Sequence, residues 1–189
     1  MKQKDHQALG MYLLDRVGAD VFEGRALRRR LFLLGCICPD YLPFTYLRGF
    51  WQSRAMRGHD LPYSKRRIQK SIRRLHQRGV MRLRDSFALG TLMHYLSDSF
   101  TFVHTEAFTG SMQTHRLYER ALHQSFLRVL GEREPSLVPI SDTDRGPFAF
   151  LENQRREYLE SAPSVEHDCR RIVHACTGIF QTLCAGQRI

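Results

Sequence analysis

The feature that most constrains how this chain can fold is the segment 83–99, in which a histidine and an aspartate lie among apolar residues. His94 and Asp98 are four positions apart, so on a helix both side chains point the same way, one turn apart. The apolar positions that predict burial of this helix are Leu89, Leu92, Met93 and Leu96. A buried imidazole or carboxylate is costly unless a metal ion or a polar partner satisfies it. The segment therefore predicts a helical core that encloses a polar site.

Three further residues with the same side-chain chemistry follow this helix. His104 comes six positions after Asp98, and His115 and Glu119 form a second pair with four-residue spacing. A single pair of this kind can simply stabilise a helix. Imidazole and carboxylate groups that converge on one point are typical zinc ligands, and the five residues together favour a metal site. The pattern thus favours a metal enzyme.

Helical periodicity recurs along the sequence, whereas the alternation typical of strands is hard to find. The length of 189 residues suits one domain with a hydrophobic core. We therefore expect an all-α fold, a single-domain helical bundle over residues 1–189 with a multinuclear metal site in its core. The predicted helices are 6–17, 25–34, 44–56, 64–78 with Ser64 as N-cap, 83–99, 114–130, 148–160 and 164–184. Loops are predicted at 36–43 and 132–147, which contain prolines.

The net charge and the cysteine content indicate which binding partners and which cellular compartment suit this protein. The net charge of +10 favours anionic partners such as phosphate esters, anionic lipid or nucleic acid. The basic segment 65–78 is typical of a solvated face, but it also suits docking to an anionic membrane surface or, less well, to nucleic acid. No segment is apolar over the roughly 20 residues that span a bilayer, and the five cysteines are an odd number. We expect a cytoplasmic protein, either free or peripheral to the membrane.

The motif around the first pair resembles that of one protein family. From Leu89 to His104 the sequence reads Leu-Gly-x-x-Met-His-Tyr-Leu-x-Asp-x5-His, and the pair His115-x3-Glu119 follows. This arrangement resembles the zinc-dependent phospholipase C family, whose fold is shared by single-strand-specific zinc nucleases. The family pattern has leucine where this chain has Met93, and it also continues with His-x3-Glu on the next helix. The resemblance covers residues 6–120.

The resemblance implies further metal ligands. It adds Asp40, which follows Gly-Cys-Ile-Cys-Pro, together with His59 and the N-terminal His6. It implies a cluster of two or three zinc ions. The implied ligand sets are Asp40, His59, His94 and Asp98 for one ion, His104, His115 and Glu119 for a second, and His6 with the shared carboxylate of Asp98 for a third.

The activity that the resemblance implies is hydrolysis of a phosphodiester or a phosphomonoester, in a phospholipid or a smaller phosphate ester. Metal ions bridged by a carboxylate lower the pKa of bound water, supply a hydroxide that attacks phosphorus, and clamp the phosphate oxygens. Asp40 would act there as a metal ligand or as the general base. Two alternatives remain open: a single-strand nuclease of the same fold, and a non-catalytic, metal-stabilised helical binding module.

Two departures from the family pattern bear on the site. Secreted members begin with a tryptophan whose amino group and carbonyl bind the third zinc, whereas this sequence begins with Met1 and has no leader-like segment. We therefore expect that ligand set to be absent, with Asp5 as its candidate replacement. The family also has a proline directly before the histidine that corresponds to His104, where this chain has Val103. His123 is expected to be a surface residue or to support a ligand.

Overall fold

The computed structural model describes residues 1–17, 19–41, 61–78, 81–132 and 146–185. The regular elements in these ranges are all helical, so the predicted all-α fold is confirmed. They are α1 (Gln3–Arg16), α2 (Ala19–Phe22), α3 (Ala26–Tyr41), α4 (Leu61–His76), α5 (Leu83–Ser99), α6 (Met112–Gly131), α7 (Pro147–Glu160) and α8 (Val165–Ala185), with a 3₁₀ turn at Phe102–His104 between α5 and α6. No helix within these ranges is both long enough and apolar enough to cross a bilayer.

Helix α5 lies at the centre of the described fold, and it packs against α3, α4 and α8. Its predicted apolar face is confirmed, because Leu89, Leu92, Met93 and Leu96 are all buried. The polar residues His94 and Asp98 are buried with them, His94 completely. The central helix thus carries an imidazole and a carboxylate into the interior, where each needs a polar partner.

Two glycines allow α3 and α5 to approach closely. A Cβ atom added to Gly90 would overlap the carbonyl oxygen of Phe32, and one added to Gly35 would overlap the carbonyl oxygen of Phe87. A side chain at either position would therefore force the two helices apart, because backbone atoms cannot move aside as a flexible side chain can. The close crossing brings the second half of α3, including Asp40, alongside α5.

Aromatic and sulfur-containing side chains fill the core around this crossing. The ring of Phe32 on α3 lies 5.7 Å from that of Phe22 on α2 and 5.5 Å from that of Phe180 on α8, measured between centroids. Cys169 and Cys176 on α8 are fully buried in this core. Helix α8 therefore packs against α5 and contributes these side chains to the core.

One predicted loop is wrong over most of its length. Residues 36–41 of the expected loop 36–43 continue α3, which contains Pro39 and ends at Tyr41. Proline disfavours a helix interior because it lacks an N–H group and crowds the preceding turn. Here the buried face of α3, which includes Cys36 and Pro39, packs against α5, and this tertiary packing overrides the local preference.

Helix starts also differ from the prediction by up to three residues, and α1 begins at Gln3 rather than at residue 6. Helix α4 begins at Leu61 with a proline in its first turn, so Ser64 lies inside the helix and is not its N-cap. Helix α6 begins at Met112 rather than at residue 114, because the side chain of Ser111 accepts a hydrogen bond from the Thr114 N–H and caps the helix. The predicted helix 44–56 lies outside the described residues, as does most of the predicted loop 132–147.

Candidate metal centre

His94 is held from one side by the backbone of α3. Its Nδ1 donates a hydrogen bond of 2.9 Å to the carbonyl oxygen of Cys36, an atom that can only accept. The proton therefore resides on Nδ1, and Nε2 carries the lone pair. Nε2 lies 3.5 Å from Oδ2 of Asp98 and 3.6 Å from Oδ1 of Asp40. A metal ligand needs this lone pair, and a hydrogen bond at the other nitrogen is the usual way to orient it.

His6 on α1 is held in the same tautomer by a serine of α5. The hydroxyl of Ser97 donates to the carbonyl oxygen of His94 at 2.8 Å, so it accepts from Nδ1 of His6 at 3.1 Å. Nε2 of His6 lies 3.5 Å from Oδ1 of Asp98. It is buried and makes no hydrogen bond with any residue that the structure describes. His6, His94 and Asp98 thus form one group of possible ligands, with donor atoms within 4.8 Å of one another.

A second group of possible ligands contains His104, His115 and Glu119, again within 4.8 Å. Nε2 of His115 lies 3.3 Å from Oε1 of Glu119, one helical turn away on α6, and Nε2 of His104 lies 3.7 Å from the same oxygen. The side chains of His115 and Glu119 are 22% and 19% exposed, so solvent reaches this group. Asp98 lies between the groups, because its Oδ1 is also 3.3 Å from Nδ1 of His104.

The amino group of Met1, the first residue of the sequence, lies inside this arrangement. Its nitrogen is 2.9 Å from Oδ1 of Asp98 and 3.2 Å from Oε1 of Glu119, and it is fully buried. From the sequence we expected the N-terminal ligand set of the secreted family members to be absent; in the structure the Met1 nitrogen nevertheless lies between the two carboxylates. An ammonium group between two carboxylates marks a place that attracts a cation, and an unprotonated amine is a nitrogen ligand.

Asp5, the expected replacement for the N-terminal ligands, is engaged elsewhere. Its Oδ2 accepts a hydrogen bond of 3.1 Å from the backbone N–H of Lys2, which satisfies the first turn of α1. Its Oδ1 contacts Nδ1 of His123 on α6. This pairing ties the start of α1, and with it His6, to the helix that carries the second group. His123 therefore supports the site rather than lying free on the surface.

The 3₁₀ turn that carries His104 is held by a buried carboxylate from α8. Asp168 accepts hydrogen bonds from the backbone N–H of Phe102 at 2.7 Å, the hydroxyl of Tyr118 at 2.8 Å and that of Tyr158 at 2.9 Å. Asp168 has no exposed surface. Its three donors come from three different elements, so this carboxylate fixes where the turn leaves α5 and where His104 points.

One carboxylate in each group, Asp98 in the first and Glu119 in the second, is held in the charged form. Burial alone raises the pKa of Asp98, but the amino group of Met1, His104 and His6 outweigh it and hold this pKa well below its usual range. Burial also opposes ionisation of Glu119, yet the hydrogen bond from His104 and the charge of Met1 lower its pKa to about 2. Both groups therefore present negative charge to a cation at neutral pH.

The remaining titratable groups respond to burial in different ways. Burial raises the pKa of Asp40, which lies at the edge of the first group. Burial lowers the pKa of His115 and so favours the neutral imidazole that a metal requires. Burial alone also lowers the pKa of His104, but Asp98 and Glu119 raise it on balance. The groups are thus electrostatically coupled.

The structure brings together seven of the eight ligands that the sequence predicted: His6, Asp40, His94, Asp98, His104, His115 and Glu119. His59 lies outside the described residues. The residues present fit zinc, because they combine imidazole and carboxylate donors and because the Nε2 atom of His6 is buried without a hydrogen bond in the described part. The sequence did not predict a role for the Met1 amino group, Ser97 or Asp168. Their positions near the ligands follow from the tertiary fold.

Comparison with known proteins gave one result. The sequence model of a family described as zinc-dependent phospholipase C matches residues 5–168. No curated protein and no solved structure matched significantly. The matched range begins just before His6 and ends at Asp168, so it includes both groups of candidate ligands and the carboxylate that holds the 3₁₀ turn.

Proposed function

Because the chain belongs to the zinc-dependent phospholipase C family, we propose that it is a zinc-dependent phosphoester hydrolase whose substrate is a phospholipid or a smaller phosphate ester. The observation that carries the proposal is the position of Asp98, which lies within 3.5 Å of a histidine nitrogen in each of the two groups. A carboxylate shared by two groups of candidate ligands can hold two metal ions close together, as in two-metal hydrolases.

We propose that His6, His94 and Asp98 hold one zinc ion, with Asp40 beside them, and that the second group holds another. His59 remains a proposed ligand of the first site, and the proposed number of ions is two or three. Bound zinc would lower the pKa of a water molecule and stabilise negative charge on the phosphate oxygens.

The chain's own residues would prepare the site for this chemistry. Asp98 offsets the charge of two cations, and the hydrogen bonds at Nδ1 of His6 and His94 direct both Nε2 atoms toward it. The partial exposure of His115 leaves the second group accessible to a phosphate group. Asp40 is the proposed second metal ligand or general base, because its carboxylate lies 3.6 Å from Nε2 of His94 and is partly exposed.

One surface supports a membrane-associated substrate. On α4, Lys65, Arg66, Lys70 and Arg73 are exposed, whereas the opposite face is buried through Ile68 and Ile72. We propose that this basic face, residues 65–78, docks on an anionic membrane surface; nucleic acid is the less favoured partner. A cytoplasmic location, free or peripheral to the membrane, remains a prediction from the cysteine content.

The test is a panel of phosphoesters assayed with the zinc-loaded and the metal-depleted protein. It contains a short-chain phosphatidylcholine, a chromogenic phosphodiester, a phosphomonoester and single-stranded DNA. We expect zinc-dependent hydrolysis, fastest for the phospholipid. Glu166→Gln, which neutralises an exposed acid of α8 that pairs with Arg128 and Arg170, is the control and should retain the parent rate.

Each alternative gives a different result in this panel. Preferential cleavage of single-stranded DNA would identify the nuclease alternative. Full zinc content without hydrolysis of any substrate would favour the non-catalytic binding module. Equal rates with and without zinc would contradict the proposed function.

A further inference from the structure

A cavity of about 450 Å³ lies between α4 and α7, beside the C-terminal end of α5. This volume is within the range of pockets that hold small organic ligands. Its lining, as far as the structure describes it, includes no candidate metal ligand. The cavity is therefore separate from the metal centre, although Ser99, the residue after Asp98, forms part of its wall.

Most of the cavity wall is apolar. Ile68 of α4 faces Phe148, Leu151 and Leu159 of α7 across it. Leu159 remains 56% exposed. An apolar chain placed here would remove this surface from water, and each buried methylene group contributes about 0.8 kcal/mol.

The polar part of the wall is predominantly basic. Lys65, Arg155 and Arg156 contribute three positive charges, and Glu152 is the acidic residue in the described lining. Within the described ranges, none of these three basic side chains forms an ion pair with a carboxylate. The cavity thus offers an anion two or more cationic partners beside an apolar wall.

Of the three basic side chains, Arg155 is the one with a largely buried guanidinium group and few hydrogen bonds. Its Nη1 donates a hydrogen bond of 3.1 Å to the carbonyl oxygen of Ser99, the one hydrogen bond that its guanidinium makes to the described chain. A guanidinium has five N–H donors. Burial lowers the pKa of Arg155, which means that its charge is poorly solvated there. A carboxylate can accept two parallel hydrogen bonds from such a group.

We propose that this cavity binds an anionic amphiphile with a single alkyl chain, of the medium- and long-chain carboxylate class. The alkyl chain lies against Ile68, Phe148 and Leu151, and the carboxylate binds Arg155 with Lys65 nearby. This proposal does not depend on the phosphoesterase activity, because it uses none of the metal ligands.

The first test is calorimetric titration of the whole protein with decanoate, below the concentration at which decanoate forms micelles. The comparison ligands are 1-decanol, which keeps the chain without the charge, and butyrate, which keeps the charge with a short chain. We expect saturable 1:1 binding of decanoate that is at least about tenfold tighter than binding of either comparison ligand, as loss of one charge-assisted hydrogen bond predicts. Absence of saturation, or equal affinity for decanoate and either comparison ligand, would overturn the proposal.

The second test uses substitutions at the two ends of the proposed ligand. Arg155→Gln removes the charge for the carboxylate, and Leu159→Glu places a negative charge beside the alkyl chain. Each should weaken decanoate binding about tenfold or more, whereas the matched controls Arg116→Gln and Leu127→Glu, both on the exposed surface of α6, should bind like the parent. If Arg155→Gln does not fold, Lys65→Gln replaces it, because Lys65 is exposed.

Decanoate affinity should also be the same in zinc-loaded and metal-depleted protein. Parent-like binding by both cavity variants would contradict the proposed site. Binding that requires zinc would assign the ligand to the metal centre and would overturn the proposal, whatever the result of the phosphoester panel.

Discussion

Nδ1 of His94 donates a hydrogen bond of 2.9 Å to the carbonyl oxygen of Cys36, 58 residues earlier in the chain. Because a carbonyl oxygen cannot donate, this contact places the proton on Nδ1 and leaves Nε2 as a possible ligand atom. His6 reaches the same state through Ser97, and the two imidazole rings stack with their centroids 3.9 Å apart. The protein thus sets both tautomers before any metal binds, which reduces the reorganisation that binding requires.

Substitution of Ser97 by alanine tests this arrangement. Ser97→Ala removes the acceptor for Nδ1 of His6, so the ring can rotate or change tautomer. Loss of such a supporting contact typically weakens metal affinity about 10- to 100-fold. We expect a reduction of this size in zinc affinity, measured by competition with a chromogenic chelator.

Ser86 provides a matched control for this measurement. It is a fully buried serine on the same helix, and its hydroxyl has no hydrogen bond in the part of the chain that the structure describes. Ser86→Ala should leave zinc affinity unchanged. Equal zinc affinity in Ser97→Ala and Ser86→Ala would show that Ser97 does not orient His6.

The crossing of α3 and α5 gives a prediction about stability. Gly90→Ala places a methyl group against the carbonyl oxygen of Phe32, so the helices must separate. We expect the free energy of unfolding to fall by about 3 kcal/mol or more, the upper end of the usual cost of overpacking, because the obstacle is backbone. Urea unfolding measures this directly.

Gly131 is the control for that substitution, since a Cβ atom added there has no atom within 4 Å. Gly131→Ala should be neutral or slightly stabilising, because alanine favours a helix more than glycine does. An unfolding free energy for Gly90→Ala within about 1 kcal/mol of the parent would contradict the close crossing.

Substitution of Asp168 should affect both the stability of the fold and the second group of candidate ligands, which contains His104. Asp168→Asn weakens three hydrogen bonds at the base of the 3₁₀ turn, so we expect a loss of about 1–3 kcal/mol in unfolding free energy. Zinc content should also fall, because the turn carries His104. Glu166→Gln, an exposed acid on the same helix, should change stability by less than about 0.5 kcal/mol. Normal zinc content in a destabilised Asp168→Asn protein would limit the role of Asp168 to folding.

The depressed pKa of Glu119 predicts how stability depends on pH in the metal-depleted protein. Its pKa is about 2 in the fold and 4.5 in the unfolded chain, so its ionised form stabilises the fold above the unfolded value. That contribution is lost as the pH falls from 4.5 toward 2. Glu119→Gln should therefore be less stable than the parent at pH 6, and the difference should narrow with acidification below pH 4.5. A difference that stays constant with pH would contradict this electrostatic role.

Much of this account follows from the sequence, because regular spacing reports which residues share a helix face. The pairs His94/Asp98 and His115/Glu119 could be predicted from four-residue spacing, and the burial of α5 from its apolar positions. The resemblance to a family added His6 and Asp40, which spacing alone does not connect to α5.

The parts that the sequence did not predict depend on tertiary packing. The continuation of α3 through Pro39 results from its packing against α5, which outweighs the local cost of proline. Asp168 lies 66 residues after Phe102, and no periodic signal relates the two positions. The place of the Met1 amino group likewise depends on how α1 docks beside α5 and α6.

The most direct test of the central claim is the zinc content of the purified protein and of Asp98→Asn, measured by inductively coupled plasma mass spectrometry after growth with added zinc. Asp98→Asn keeps the side-chain volume but removes the charge that contacts both groups of histidines, so both sites should weaken. The account predicts about two or three zinc ions per chain for the parent and for His76→Ala, and less than about one for Asp98→Asn. Less than about one zinc ion in the parent, or parent-like zinc content in Asp98→Asn, would contradict it.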